Sequence, residues 1–267
     1  MTRGLVWTAG FERLFSQNLN LKEKAERNDY CAFDGEGREQ IHPGKNVYPV
    51  LGRPLVHYPM TAAFQSRMVD AVYVSTDCPE IMRLARQIGV NIIDRPKELA
   101  QDDTELTDVI LHAMEVIEED FEVLVTMHCN CAVHRPGIID EAIEVLRSRP
   151  DADSCVSGFT ERSVHPFRTK KLGQDGCLHN WMSVPANTSN NRQKLDPCFI
   201  LDGACRAIRV ERCFPPDGQP PFPYLGNRIL PLGNLPGGDV HSEADCNLAE
   251  FHLRKLGWQE AKYPQKR

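Results

Sequence analysis

The chain has no run of apolar residues long enough to span a bilayer, and its opening, Met1-Thr-Arg-Gly-Leu-Val-Trp, lacks the apolar core of a signal peptide. A cytoplasmic location, away from any membrane, is the default expectation. Positive charge is not in excess: 31 Lys and Arg against 37 Asp and Glu give a net charge of −6 and a pI near 5.9, which argues against a nucleic-acid partner. The ten cysteines form no CxxC pair, and no internal repeat is visible. Without an export signal, scattered thiols read as small reduced core residues rather than a disulfide framework. What is present is 267 residues, 41% hydrophobic and 25% charged, enough to bury a large core as a single domain over 1–267.

The most informative stretch runs from Ala71 to Ala113. Ala71 to Val74 is a short apolar run suited to a strand buried on both faces, and it hands over to a helix at Ser75-Thr76-Asp77. Asp77 with Glu80 resembles a capping box, Pro79 suits the first turn, and Gly89 suits the helix end. Ile81, Leu84, Ala85 and Ile88 repeat at helical spacing between them. A second strand follows at Val90 to Ile93, then a polar loop, then a helix over Val109, Ile110, Ala113, Val116 and Ile117 that Thr104 can cap. Two such crossovers predict a mostly parallel sheet covered by helices, with ligands at the carboxyl ends of the strands.

Elsewhere the pattern is plainer. Residues 1–29 show no strand pattern and read as an N-terminal extension, with a short solvated helix near Asn20 and the first strand at Tyr30 to Asp34. Helices are predicted over Leu55 to Ser66, over Gly137 to Arg147 with Pro136 opening it, and over Ser242 to Leu256 with Ser242 as cap. Val123 to Met127, Val156 to Phe159, Thr169 to Leu172 and Phe199 to Ile208 read as strands, and Pro215 to Pro223 as a turn-rich insertion. His128-Cys129-Asn130-Cys131-Ala132-Val133-His134 gathers four soft-metal ligands; a strand end lining a pocket is the preferred reading over a zinc site, since ligands packed so tightly rarely all face one centre.

The segments, taken in order, resemble the cytidylyltransferases that activate acidic sugars, the CMP-sialic acid and CMP-Kdo synthetases. The matching residues are Lys45-Asn46, Leu51-Gly-Arg-Pro-Leu, Val74-Ser-Thr-Asp, Arg95-Pro-Lys-Glu-Leu-Ala-Gln-Asp-Asp-Thr, Asp108-Val-Ile-Leu-His-Ala, Asn191-Arg-Gln-Lys-Leu, Asp202-Gly-Ala and Asp239-Val-His-Ser-Glu-Ala-Asp. Singly, each has an ordinary use: Lys45 as a solvated loop residue, Ser75 as a cap, Arg95 as a surface ion-pair partner, Asp239 as a turn residue. Only the ordered set is specific. The resemblance implies a three-layer α/β, Rossmann-like nucleotide-diphospho-sugar transferase fold. It also implies attack of an acceptor oxygen on the α-phosphorus of CTP with loss of pyrophosphate. Lys45 and Asn46 would then hold the triphosphate or its ribose, Ser75 and Arg95 would border the nucleoside, Asp239 would carry Mg2+, and Arg192 and Gln193 would face the acceptor.

The chain departs from the family pattern at four places. The phosphate loop, aligned to Glu36-Gly-Arg-Glu-Gln-Ile-His-Pro-Gly, lacks the usual Ser-Lys pair, and Arg38 could supply the missing charge. The metal motif Asp-x-Asp reads Asp239-Val240-His241, so His241 is either a bystander or a ligand that would admit Mn2+. The family's Gln-Pro-Thr-Ser-Pro-Leu becomes His128-Cys-Asn-Cys-Ala-Val, and the aromatic after the Asp-Gly-Ala turn is replaced, leaving Cys205-Arg206 there. His128, Arg168, Arg192 and Arg206 together favour a compact acidic acceptor, a sugar acid or a small phosphonate such as phosphonoformate. By analogy, the strand-rich residues 160–200 would cover the acceptor or pair two subunits in a homodimer. A nucleotide-binding protein without turnover and a glycosyltransferase are the alternatives.

Overall fold

In the strand Ala71–Thr76, Val72 and Val74 join one buried cluster while Ala71 and Tyr73 pack against another, so alternate side chains serve opposite faces of a sheet covered on both sides. Val123–His128 repeats this, with Val123, Val125 and Met127 on one face and Leu124 on the other; in Cys198–Arg209, Cys205 and Ala207 oppose Ile208. The computed structural model describes residues 4–9, 31–33, 39–41, 44–101, 103–118 and 120–261. Its strands are β1 (Gly4–Ala9), β2 (Cys31–Phe33), β3 (Glu39–Ile41), β4 (Pro49–Val50), β5 (Arg53–Pro54), β6 (Ala71–Thr76), β7 (Asn91–Asp94), β8 (Val123–His128), β9 (Ser154–Glu161), β10 (Lys170–Leu172), β11 (Leu178–Asn180), β12 (Cys198–Arg209) and β13 (Ile229–Gly233). The helices are α1 (His57–Phe64), α2 (Pro79–Ile88), α3 (Leu106–Val116), α4 (Ile138–Ser148), α5 (Val210–Cys213) and α6 (Glu243–Lys255).

Seven strands form one sheet in the order β13-β9-β12-β8-β1-β6-β7, and within it only β12 runs against the rest. Helices α1, α2 and α4 cover one face and α3 the other, so the three-layer, mostly parallel α/β architecture is as predicted. In α4 alone Ile138, Ile139, Ile143 and Leu146 are buried, each worth about 1.5–3 kcal/mol at most. From β1 the chain moves outward to β6 and β7, then returns to β8 on β1's other side. That reversal opens a crevice beyond the carboxyl ends of β1 and β8. The register sets Ser75 of β6, Ala9 of β1 and His128 of β8 level along this rim. At roughly 4.8 Å per strand, Ser75 and His128 stand roughly 10 Å apart.

The N-terminal reading needs correction. Gly4–Ala9 is an interior strand of the sheet, between β8 and β6, so 1–29 is not merely an extension, and the segment at Cys31–Phe33 pairs with β3 in a small hairpin. The predicted helix near Asn20 and Arg38 lie outside the described residues. Three caps also differ. Cys78 rather than Asp77 precedes α2, with Glu80 bonded to Arg83 instead; Glu105 rather than Thr104 precedes α3; and Gly137, at a φ of 74°, precedes α4 where Pro136 was expected to open it. Ser242 does cap α6, in a reciprocal capping box with Asp245.

Candidate active site

At the end of β6, Ser75 and the first residue after β7, Arg95, are brought side by side by the pairing of Thr76 with Asp94. Both are buried, and Arg95 Nε donates to Ser75 Oγ at 3.1 Å while Nη2 donates to the Ser75 carbonyl. Ser75 is thus not a helix cap and Arg95 is not a surface residue. The pair forms a built wall at the rim where the resemblance places the nucleoside.

Lys45 and Asn46 lie in a single 3-10 turn, Lys45–Val47, that Gly44 enters at a φ of 89°. The Asn46 carbonyl accepts from Val56 N–H at 2.8 Å, and Leu55 N–H donates to Tyr48, so the turn is tied to the β4–β5 hairpin. Asn46 is 1% exposed, yet its amide Nδ2 finds no acceptor among the described residues. A buried amide donor without a partner costs about 1–3 kcal/mol, and a ligand oxygen would restore it.

The third group forms where the residues after β8 pair with the residues before α6. Cys131 bridges Asp239, Val240 N–H donates to Asn130, and Ala132 N–H donates to Gly238. This backbone pairing sets Asp239 Oδ1 3.8 Å from His128 Nδ1. Gly203, in the bulge of β12, makes room: a Cβ there would lie 2.6 Å from Asp239 Oδ1 and from His128 Cγ and Nδ1. Asp239 Oδ1 is buried and accepts no hydrogen bond among the described residues, and His128 Nε2 is likewise buried without a partner there. Burial pushes the Asp239 carboxyl above its usual range against the pull of Arg206 and His241. Burial also holds His128 well below the ordinary imidazole value, with Arg206, His241 and Lys45 adding to the effect, so His128 is neutral near pH 7.

A divalent cation fits this arrangement. An orphaned, buried carboxylate oxygen calls for a cation or a donor; the Gly203 backbone N–H acts on this carboxyl, but among the described residues no hydrogen bond reaches Oδ1. No cluster of three or more His, Cys, Asp and Glu side chains is placed to hold a metal among the described residues. Phosphate oxygens and water would therefore complete the shell, as is usual for Mg2+ beside a triphosphate. Cys129 and Cys131 are fully buried, and burial pushes the Cys131 thiol up.

The other predicted residues are placed differently. Arg206, expected at the acceptor, is 4% exposed; its Nη1 donates to Tyr224 Oη at 2.6 Å and its guanidinium stands over Phe222. It lies beneath the Asp239–His128 pair and acts on it through charge. His241 is exposed, and its backbone N–H is engaged by Asp245. Arg168, Arg192 and Gln193 are exposed, and among the described residues no hydrogen bond or ion pair ties them to His128 or Asp239. Gly203 and Tyr224 escaped the sequence reading; the Asp-Gly-Ala turn hinted at the first, and nothing local at the second. A separate cavity of about 260 Å³, lined by Tyr58, Ser66, His134, Asp140 and Trp258 among others, holds none of the predicted site residues.

Residues 42–173 match the model of the family described as cytidylyltransferase. An N-acylneuraminate cytidylyltransferase of Streptococcus agalactiae is 28% identical over 176 residues, 65% of this chain but 41% of the relative. N-acylneuraminate cytidylyltransferase A of Danio rerio is 28% identical over 250 residues, 89% of this chain and 53% of the relative. The chain thus matches about half or less of these relatives' lengths. A solved structure of CMP:2-keto-3-deoxy-manno-octonic acid synthetase complexed with CTP shares the fold, with a TM-score of 0.61 at 15% identity over 95% of this chain and 99% of that one. With its motifs in order on the rim of such a sheet, the chain is similar to the acidic-sugar cytidylyltransferases, over residues 42–173 by the family model and more widely by these relatives.

Proposed function

We propose that the protein transfers CMP from CTP to a sugar acid and releases pyrophosphate. The observation that carries this reading is that one rim of the sheet holds the Ser75–Arg95 pair, the Lys45–Asn46 turn and the orphaned Asp239 oxygen. An acceptor oxygen bonds to the α-phosphorus as the bond to the pyrophosphate oxygen breaks. Negative charge then accumulates on the phosphates, so this chain's task is to position them and neutralise that charge. Lys45 supplies a positive charge at the turn, Asn46 Nδ2 supplies a buried donor, and Ser75 with Arg95 fixes the rigid edge where the nucleoside lies. Asp239 would hold the divalent cation, whose chemistry when bound is to offset triphosphate charge. Arg206 beneath adds a fixed positive field.

The acceptor side belongs to the exposed segment around β10 and β11. Arg168, Arg192 and Gln193 lie there with the exposed apolar residues Val164, Leu172, Leu178, Trp181 and Met182. Such a surface on a two-stranded arm suits pairing with a second copy, which would bury the apolar side chains and bring the basic ones toward a partner's crevice. Light scattering on wild type and on Leu172→Ser/Trp181→Ser tests the pairing.

Pyrophosphate release from CTP with Mg2+ or Mn2+ and a panel of sugar acids and small phosphonates tests the reaction. Release is expected with a sugar acid and is lost in Asp239→Asn. No release with any acceptor under either metal overturns the proposal; CTP binding by calorimetry in that case would mark a nucleotide-binding protein without turnover.

A further inference from the structure

The His128 imidazole faces Asp239 at a distance too long for a hydrogen bond. At 3.8 Å, Nδ1 and Oδ1 are beyond the 2.7–3.2 Å of a hydrogen bond. Two donors on one cation at about 2.1 Å each stand about 3.0 Å apart at a right angle, so the two side chains would close by about 0.8 Å to share a cation. Two further features make the pair a built arrangement. Gly203 supplies a floor that any Cβ would fill, against both side chains at once. Asp239 Oδ1 is buried without a hydrogen bond among the described residues, and the ring nitrogen that faces it is His128 Nδ1.

The competing ligands near Asp239 are otherwise engaged. Asp245 Oδ2 accepts from His241 N–H, Ser242 N–H and Ser242 Oγ, so this carboxylate is consumed in capping α6. His241 is exposed and makes no ion pair with Asp239, whereas His128 is the imidazole within 4 Å of it. Asp202 is buried under hydrogen bonds from Ser157, Ala204 N–H and Asn234.

We propose that His128 is the second protein ligand of the cation at Asp239, making a mixed oxygen–nitrogen site that favours Mn2+ over Mg2+. Imidazole suits transition metals, while Mg2+ holds to hard oxygen ligands. In six-coordination, one carboxylate and one imidazole leave four positions for phosphate oxygens and water. The inference rests on the cation at Asp239 proposed above.

The test is pulsed electron paramagnetic resonance of Mn2+ bound to the full chain with CTP, using protein labelled with 15N-histidine and no acceptor. Wild type is expected to show a 15N coupling to Mn2+ that persists in His241→Asn and vanishes in His128→Asn. Calorimetry on His128→Asn is expected to show Mn2+ affinity lower by at least about tenfold with Mg2+ affinity little changed. Bound Mn2+ that depends on Asp239 but carries no histidine coupling in wild type overturns the assignment to His128 and leaves the cation at Asp239 standing. Coupling that survives in His128→Asn also overturns it. Mn2+ binding that survives Asp239→Asn unchanged sinks both. If His128→Asn fails to fold, His241→Asn carries the assignment: coupling kept there supports His128, and coupling lost there overturns it.

Discussion

Replacing Gly203 with alanine is the sharpest single perturbation of the site. A methyl group at this position would meet Asp239 Oδ1, His128 Cγ and His128 Nδ1 at 2.6 Å. Carbon contacts settle near 3.5 Å, so roughly 0.9 Å must be recovered by moving the new methyl, the carboxylate and the ring apart. His128 Cγ is one bond from Cβ, so rotating the far end of the side chain cannot relieve its share; the ring or the backbone must shift. Gly203 does not hold a positive φ, so alanine adds no backbone strain and the substitution tests space alone. Overpacking of this kind costs about 1–3 kcal/mol, and a displacement near 1 Å at a reacting centre costs on the order of 100-fold in rate. Thermal unfolding should fall by several degrees, with the fold retained by circular dichroism, and pyrophosphate release from CTP should drop about 100-fold in kcat/KM. Wild-type turnover with unchanged thermal stability would refute the close approach of these three groups.

Other perturbations probe the supports of the site. Arg95→Lys keeps the charge but loses the fork that reaches both Ser75 Oγ and its carbonyl; urea unfolding should show a loss of about 1.5–3 kcal/mol, and an unchanged midpoint would contradict the buried pair. Burial pushes the His134 pKa down to about 4, so between the unfolded value of 6.5 and about 4 the unfolded chain binds a proton that the folded chain refuses. Its contribution is complete above pH 6.5 and is lost as pH falls toward 4, about 3 kcal/mol in all; His134→Gln should flatten that part of the stability–pH curve, and parallel curves would count against it. Glu250 Oε1 accepts from the N–H of Leu51, whose φ of 45° is in the left-handed region, while Ala261 N–H closes on the Leu51 carbonyl. Glu250→Ala should cost about 1–2 kcal/mol in urea unfolding and raise KM for CTP through the adjoining Lys45 turn; a stable variant with unchanged KM would show that the turn holds without this contact.

Local patterns made much of this protein legible. The strand–helix–strand–helix run from Ala71 to Ala113 could be read because burial on both faces selects continuous apolar strands, while α2 and α3 carry their apolar residues at helical spacing. The chemical class could be read because Lys45-Asn46, Ser75, Arg95 and Asp239 keep family order. The first strand could not. Gly4–Ala9 is six residues long and is recognised as central only by its neighbours, β6 and β8, each more than sixty residues away in the chain. The caps of α2 and α3 were misplaced for a related reason: several residues near each start could cap, and tertiary packing chose among them.

The chain alone determined the α/β class, the nucleotide family and the candidates on its nucleotide side, because these rest on periodicity and short motifs. The tertiary structure decided which candidates meet. Arg206 went below the site because strand alternation sends it to the face carrying Tyr224 and Phe222, opposite Cys205 and Ala207. His128 came to Asp239, with Gly203 between them, because the backbone after β8 pairs with the backbone before α6. Such a contact joins residues more than a hundred positions apart, and no local sequence pattern encodes the sheet register that brings them together.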